Sequence, residues 1–236
     1  MGSMQNAVSA IGHQATIDRG FFNKLSTAAL NDLDAMIFPS NLPAGNILFS
    51  EKDPEPGVYI VIEGEVKLSM NSSDGRRLIL HIAKKGEILG LASALSGKPC
   101  EMTAETLYPA RIAPIARRDF LNFLSHHPEV YQTVTEELSR DYAMACEQLR
   151  TVGLSNSAPE KLARLLLVWS QNGRTTERGT HFCFPLTHGE IGEFIGASRE
   201  TVTRTLSVFK SRHLVAFHGS TLTIPNKAAL ETYAHC

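Results

Sequence analysis

The chain has 236 residues, of which 43% are hydrophobic and 20% are charged, a composition that is typical of a folded globular protein and excludes wholesale disorder. No apolar run approaches the roughly 18 residues that span a bilayer. Residues 1–19 lack the basic start and the apolar stretch of a signal peptide. We therefore expect a cytoplasmic protein with no membrane contact.

The net charge of −1 hides an asymmetry along the chain. Residues 157–236 contain 9 Lys and Arg against 6 Asp and Glu, whereas residues 1–156 contain 14 against 18. A basic excess at one end is compatible with nucleic-acid binding there, although it is too small to prove it.

Residues 45–115 have the pattern of short strands separated by glycines. The clearest runs are Asn46–Phe49, Val58–Ile62, Glu65–Met70, Arg77–Ile82 and Ala110–Ile115. Asp74-Gly75 lies between two of them and predicts a two-residue hairpin turn, which needs positive φ at its central residues. Apolar spacing predicts a helix over Phe21–Met36, so the first part of the chain is expected to be a helix followed by a compact β-roll.

After Arg117 the apolar period changes from two to about 3.5. The repeating positions, at alternating spacings of four and three, are Tyr131, Thr135, Leu138, Tyr142, Ala145, Leu149 and Val152. Charged residues flank this seam, which favours a dimerisation helix because the apolar face would otherwise lie in water. A long helix packed on its own domain would give the same pattern and remains the alternative. The residues expected at the dimer interface are Tyr131, Leu138, Tyr142, Leu149 and Val152.

The C-terminal part begins with a linker, Gly153–Pro159, and a helix over Glu160–Ser170. A polar loop over Gln171–Thr180 and a short strand over His181–Phe184 follow. After the helices described next, Leu214–Phe217 and Thr221–Ile224 predict a β-hairpin whose tip can approach phosphates.

Two short helices are predicted between that strand and the hairpin. Thr187-His-Gly-Glu190 is a capping box, which starts a helix. Gly196 permits a tight turn, and Ser198 is a good N-cap for a second helix over Arg199–Ser211. Two short helices joined by a three-residue turn that contains glycine are typical of a helix-turn-helix motif.

The second helix divides into a core face and an outward face at about 100° per residue. The core face consists of Val202, Leu206 and Phe209. The outward face consists of Arg199, Glu200, Thr203, Arg204 and Ser207. Arginine can donate two hydrogen bonds to guanine, and glutamate can accept one from cytosine, so this face suits base recognition. A solvated, salt-bridged helix face is the alternative interpretation.

From Gly189 to Ile224 the sequence resembles the DNA-binding signature of the Crp/Fnr family, and Ser198–Arg204, S-R-E-T-V-x-R, is similar to its cyclic-AMP branch. The resemblance implies an α+β fold with three parts. They are a β-roll sensor domain similar to cyclic-nucleotide-binding domains (1–117), a long dimerisation helix (118–153) and a winged helix-turn-helix domain (154–236).

The resemblance also implies a homodimeric transcription regulator that binds double-stranded DNA and contacts RNA polymerase. Its site would be an inverted repeat with TGTGA-like half-sites, in which Arg199, Glu200 and Arg204 contact bases. The residues expected to contact the DNA backbone are Thr187, Ser198, Thr203, Lys210, Arg212, His218 and Ser220.

The sensor departs from the family pattern at the effector site. Cyclic-nucleotide members carry G-E-[LIV] and, downstream, R-[ST]-A, whose Glu binds the ribose and whose Arg and Ser/Thr bind the phosphate. Here the motifs are Gly90-Leu91-Ala92 and Glu101-Met102-Thr103-Ala104. Leu91 cannot accept a hydrogen bond, and Glu101 would repel a phosphate. On the long helix, Cys146 and Glu147 align with the Thr and Ser that contact the base. We therefore predict that cyclic AMP is not the effector.

No other familiar sensor is indicated, and no metal or cofactor is expected. The cysteines are Cys100, Cys146, Cys183 and Cys236; they form no C-x-x-C pair, and none precedes residue 100, which excludes the oxygen-sensing iron–sulfur cluster. His81, the lone histidine of the roll, is expected to be a hydrogen-bonded structural residue rather than a haem ligand. Cys146, near the seam, could act as a redox switch, although a buried thiol is usually inert. An effector pocket, if present, is expected near Leu91, Glu101, Thr103 and Arg111.

Three classes of function differ in how well they fit the sequence. A DNA-binding regulator uses both halves of the chain. A ligand-binding subunit that controls an enzyme or channel would leave the winged helix without a role. An enzyme has the least support, because the sequence contains no recognisable nucleophile and base, no P-loop and no H-x-x-x-H pair.

Overall fold

The computed structural model describes residues 21–54 and 57–234. They form two compact units, one made of residues up to 70 together with 80–144, and one made of 71–79 together with residues from 145 onward. The fold is α+β, as the sequence predicts. Within the described ranges, no helix combines the length and apolar character that crossing a membrane requires.

The first unit contains a β-roll and its helices, except that residues 71–79 of the roll belong to the second unit. Its helices are α1 (Thr27–Met36), α2 (Leu91–Ser96), α3 (Arg117–His126) and most of α4 (Val130–Leu149). The strands of the roll are β1 (Ser40–Leu42), β2 (Ile47–Phe49), β3 (Val58–Glu63), β4 (Val66–Asn71), β5 (Arg77–Ala83), β6 (Ile88–Leu89), β7 (Thr103–Thr106) and β8 (Ala110–Ile115). They form two four-stranded sheets in the orders β1-β8-β3-β6 and β2-β7-β4-β5.

Alternation along the strands builds two apolar clusters in this unit. Val58 and Ile60 of β3 point towards the helices, where they pack with Phe120 and Leu124 of α3. Val61 points to the opposite face, into a cluster that contains side chains from both sheets. The first sheet is therefore covered on both faces, which explains its nearly continuous apolar strands.

All five predicted strands are present, but four short elements of the roll were not predicted. These are β1, β6, α2 and β7. Their two to six residues are too few to show a clear apolar period. The predicted hairpin at Asp74-Gly75 exists, but the prediction of a two-residue turn is wrong. Gly75 alone has positive φ (81°), and the Ser72 amide donates to the Arg76 carbonyl (2.8 Å), so a three-residue loop joins the strands.

Both long helices predicted in this region are interrupted. Residues 21–24 form a separate 3₁₀ turn, and α1 starts only after Ser26, whose hydroxyl accepts from the Ala29 amide. The segment 118–153 is two helices, because Pro128 separates α3 from α4, and it ends in a π-helical turn at Arg150–Leu154. The apolar seam therefore begins only in α4.

The second unit carries the C-terminal elements. Its helices are α5 (Ala158–Ser170), α6 (His188–Ile195), α7 (Arg199–Ser211) and α8 (Lys227–Ala234), and its strands are β9 (Arg174–Thr176), β10 (Gly179–Cys183), β11 (Ala216–His218) and β12 (Thr221–Ile224). The strands form one sheet in the order β11-β12-β10-β9. The predicted loop over 171–180 is wrong, because it contains β9 and the start of β10, and α8 was not predicted.

Candidate nucleic-acid interface

The first helix of the motif begins at the predicted capping box. The Thr187 hydroxyl accepts from the Glu190 amide (3.2 Å), and the Glu190 carboxylate accepts from the Thr187 amide (2.9 Å). These reciprocal bonds satisfy two backbone donors and fix the start of α6.

Two glycines allow the turn between α6 and α7. Gly196 has a φ of 63°, which favours glycine, and ends α6. A Cβ on Gly192 would lie 2.5 Å from the Ala197 carbonyl oxygen, so only glycine permits this close approach. The Ser198 hydroxyl then accepts from the Thr201 amide (3.2 Å) and starts α7. The predicted helix-turn-helix is therefore confirmed.

The second helix presents the two faces that the sequence predicts. Val202, Leu206 and Phe209 are buried in the core of the unit. The other face is exposed and carries Arg199, Glu200, Thr203, Arg204 and Ser207. Hydrogen bonds from its own amide and from the Ser198 hydroxyl lower the pKa of Glu200, so its carboxylate is ionised at neutral pH and acts only as an acceptor.

Some of the residues expected at the DNA backbone already have partners within the protein. The Lys210 ammonium lies 4.6 Å from the centre of the Phe217 ring, and Arg212 donates to the Tyr233 hydroxyl. The Thr187 and Ser198 hydroxyls serve as N-caps. His218 and Ser220 are exposed at the tip of the β11–β12 wing, on either side of Gly219.

The sequence did not single out His188, the first residue of α6. Its Nδ1 lies 2.8 Å from Oγ1 of Thr203 on the exposed face of α7. The ring therefore joins the two helices of the motif beside the residues expected to contact bases. The signal available in the sequence was only its position after the N-cap, because a contact across fifteen residues has no local pattern.

In the second unit, the Gln148 side chain is hydrogen-bonded to the first helix of the motif. Its side chain is 8% exposed, and its Nε2 donates to the carbonyl oxygens of Ile79 (2.9 Å) and Phe194 (2.6 Å). Phe194 lies in the last turn of α6, where carbonyls lack helical partners. Both amide hydrogens of Gln148 are therefore used.

The residues proposed for an effector pocket occupy different surroundings. Leu91 is 1% exposed within the apolar cluster beneath α3. The Thr103 hydroxyl accepts from the Glu51 amide (3.0 Å), whereas Glu101 is exposed. Arg111 lies on β8, in the other sheet from Thr103. Of the four, Leu91 offers no polar group, and Glu101 can only accept when ionised.

His81 is hydrogen-bonded, and the described cysteines are free thiols. His81 Nε2 lies 2.7 Å from Glu87 Oε2, so this histidine is hydrogen-bonded, as predicted. Cys100, Cys146 and Cys183 are free thiols, and Cys236 lies outside the described residues. Burial raises the pKa of Cys100, which keeps this thiol protonated.

The predicted dimer seam is exposed along most of α4. Tyr142 is 73% exposed and Leu149 is 68% exposed, and Tyr131 is exposed as well. Leu138 differs, because it packs against the apolar cluster of the first unit. Val152 is half-buried in the π-helical turn.

Comparisons with known proteins agree with both halves of this architecture. Residues 39–127 match the model of the cyclic nucleotide-binding domain, and residues 160–233 match that of the Crp-like helix-turn-helix domain. The solved structure of FixK2 from Bradyrhizobium japonicum superposes with a TM-score of 0.73 at 22% identity, covering 84% of this chain and 96% of the other.

Two curated relatives span most of the chain. The transcriptional activatory protein AadR of Rhodopseudomonas palustris is 30% identical over 71% of this chain and 69% of its own length. A CRP-like cAMP-activated global transcriptional regulator of Mycobacterium tuberculosis is 27% identical over 89% and 94%, respectively. The chain therefore belongs to the Crp/Fnr family of DNA-binding transcription regulators.

Proposed function

We propose that this regulator binds, as a homodimer, an inverted-repeat DNA site with TGTGA-like half-sites. The exposed face of α7 carries the proposal, because it presents two guanidinium groups and an ionised carboxylate on a helix whose opposite face is buried. In helix-turn-helix proteins, the N-terminal part of the second helix meets base edges in the major groove.

Each base-contacting residue has a specific role in this proposal. Arg199 and Arg204 each donate two hydrogen bonds to a guanine, and Glu200 accepts from a cytosine amine on the complementary strand. Seven further residues contact the DNA backbone and fix the position of the protein on the duplex. They are Thr187, Ser198, Thr203, Lys210, Arg212, His218 and Ser220.

The dimer forms through α4. Tyr131, Tyr142 and Leu149 are large side chains left in water on the single chain, and Val152 continues their spacing. Pairing two copies along this seam buries them and places two α7 helices on one duplex. Half-sites centred about one helical turn, roughly 34 Å, apart would match such a dimer.

The effector of this regulator is not cyclic AMP in our proposal. The M. tuberculosis relative is described as cAMP-activated, but Leu91 here is a buried apolar residue and Glu101 adds negative charge near the expected phosphate position. The regulator acts on RNA polymerase when bound at its site, with or without another small effector.

The direct test is binding of the purified protein to a labelled TGTGA inverted repeat and to a scrambled duplex of equal length and composition. Fluorescence anisotropy at fixed salt should show a preference for the repeat of at least about 10³-fold, the lower end for specific sites. Equal affinity for the two duplexes would contradict the proposed readout.

A further inference from the structure

We propose that His188 makes DNA binding proton-linked, because its Nε2 takes up a proton and donates to a backbone phosphate when the motif engages DNA. This inference rests on the proposed function, since it requires the exposed face of α7 to meet the duplex. It adds a residue to the backbone contacts named above and takes the place of Thr203, whose hydroxyl hydrogen is bonded within the protein.

The argument starts from the hydroxyl of Thr203, which has one hydrogen and two neighbours. Its Oγ1 lies 2.9 Å from the Arg199 carbonyl oxygen and 2.8 Å from His188 Nδ1. A carbonyl can only accept, so the hydroxyl hydrogen points to it, as is usual for Thr inside a helix. Nδ1 must therefore carry a hydrogen and donate to Oγ1. In the neutral ring, Nε2 then has no hydrogen.

The position of the ring gives Nε2 its partner. His188 is partly exposed at the first position of α6, and its ring touches the face of α7 between Arg199 and Arg204. The first helix of such motifs crosses the DNA backbone. A phosphate oxygen beside a neutral Nε2 would find only an acceptor. Protonation supplies a donor and a positive charge, which together form a charge-assisted hydrogen bond.

Charged groups lie on both helices of the motif. On α6, the Glu190 carboxylate is held by the Thr187 amide and hydroxyl (2.9 and 2.8 Å). On α7, the charged groups of the exposed face are Arg199, Arg204 and Glu200. DNA phosphates add negative charge at this surface, so the complex favours the protonated ring.

Helix α5 also packs against α6, and its charged side chains have partners of their own. The Lys161 ammonium donates to the Val152 carbonyl (2.8 Å). Arg164 pairs with Glu160 (3.4 Å). The charges that influence protonation of the His188 ring on DNA binding are therefore those of α7 and of the DNA.

The consequence is reciprocal coupling between protons and DNA. Because the complex holds one more proton than the separate molecules, affinity rises as the pH falls and is lost as the pH rises. One coupled proton changes Kd by at most about tenfold per pH unit. We expect a several-fold gain between about pH 8 and about pH 6, where histidine side chains titrate.

The test measures Kd for the inverted repeat across this pH range at constant ionic strength, in the full-length protein. In His188→Asn, the amide can still donate to Thr203 but does not titrate, so the pH dependence should fall to the part that His218, the other histidine proposed at the DNA backbone, contributes. In His188→Arg, a permanent charge should keep the affinity high at both ends of the range. His213→Asn is the matched control, because His213 is an exposed histidine with a φ of 56°, which asparagine tolerates, and it should retain the pH dependence of the wild type.

Calorimetry in two buffers of different ionisation enthalpy should show clearly more proton uptake by the wild type than by His188→Asn. A wild type with pH-independent affinity, or a His188→Asn protein that keeps the full pH dependence, would overturn the inference. Failure of the wild type to prefer the repeat at any pH would instead overturn the proposed function, and the inference with it.

Discussion

The side chains proposed to contact DNA differ in whether other residues of the protein hold them in place. Arg199 and Glu200 are exposed at the start of the helix, whereas the Lys210 ammonium lies over the Phe217 ring. A side chain fixed in this way suits a phosphate, whose position repeats along any duplex, better than a particular base. The two groups therefore differ in their expected response to salt and sequence.

Replacing Lys210 with methionine should test the phosphate role. Methionine keeps an apolar stem on the Phe217 ring but removes the charge. We expect weaker binding to the repeat and to the scrambled duplex by similar factors, and a salt slope reduced by about one. Titrations at several salt concentrations measure both quantities. A loss confined to the repeat would contradict the assignment.

Gln148 is the residue on which the packing of the second unit depends most clearly. Gln148→Met should leave the carbonyls of Ile79 and Phe194 unsatisfied and lower the free energy of unfolding by about 1–3 kcal/mol. Gln148→Glu should cost more at neutral pH, because a carboxylate can only accept. Urea denaturation measures these changes, with Gln132→Met on the exposed surface as control. Equal stability of the Met variants would contradict this role.

Contacts of this kind could not be predicted from the sequence. The Gln148 amide bonds residues 69 and 46 positions away, and the His188–Thr203 pair joins two helices across a turn. Neither leaves a periodic or local signal. By contrast, the Thr187 and Ser198 caps depend on residues three positions away, so the sequence predicted both correctly.

At the scale of elements, prediction succeeded where a pattern was long or local. The face of α7 and the apolar strands β3 and β8 repeat over several residues, so their periods are clear. Prediction failed for β7 and β9, which are three or four residues long, and for the break before α4. That break lies at Pro128, which apolar spacing alone does not mark.

The seam of α4 gives a prediction about assembly. Ala145 and Leu149 are exposed seam positions that lie outside the apolar clusters, unlike Leu138. Replacing both with Asp places charge in the dimer interface and should shift the protein to monomers. Sedimentation equilibrium at micromolar concentration measures this shift.

The matched control for the seam is Ala143→Asp, which is exposed but lies off the seam and should remain dimeric. A wild-type protein that sediments at its chain mass of 25.9 kDa would contradict the dimer, as would an Ala145/Leu149 variant that sediments like the wild type.

For the whole molecule, the two matched domains raise the question of what the sensor binds. The cyclic-nucleotide fold is present, but in our proposal Leu91 and Glu101 do not supply the contacts that a cyclic nucleotide requires, because Leu91 has no polar group and an ionised carboxylate can only accept. Fold and ligand are separate properties, because binding depends on the side chains placed in the fold.

Cyclic AMP should therefore neither bind tightly nor change DNA affinity. Isothermal titration of the purified protein is expected to show no saturable heat at micromolar ligand, and anisotropy curves should coincide with and without the nucleotide. Binding with a micromolar or lower Kd would show that the effector-site assignment is wrong.

The central claim is that the exposed face of α7 selects the DNA sequence. Selection from a pool of random duplexes, performed with the wild type and with Arg199→Ala, tests it most directly. The wild type should enrich an inverted repeat of TGTGA-like half-sites, and Arg199→Ala should relax the preference at one position in each half-site, at a cost of about 1–3 kcal/mol on the wild-type site. Enrichment of the same motif with the same base preferences by both proteins would contradict the account.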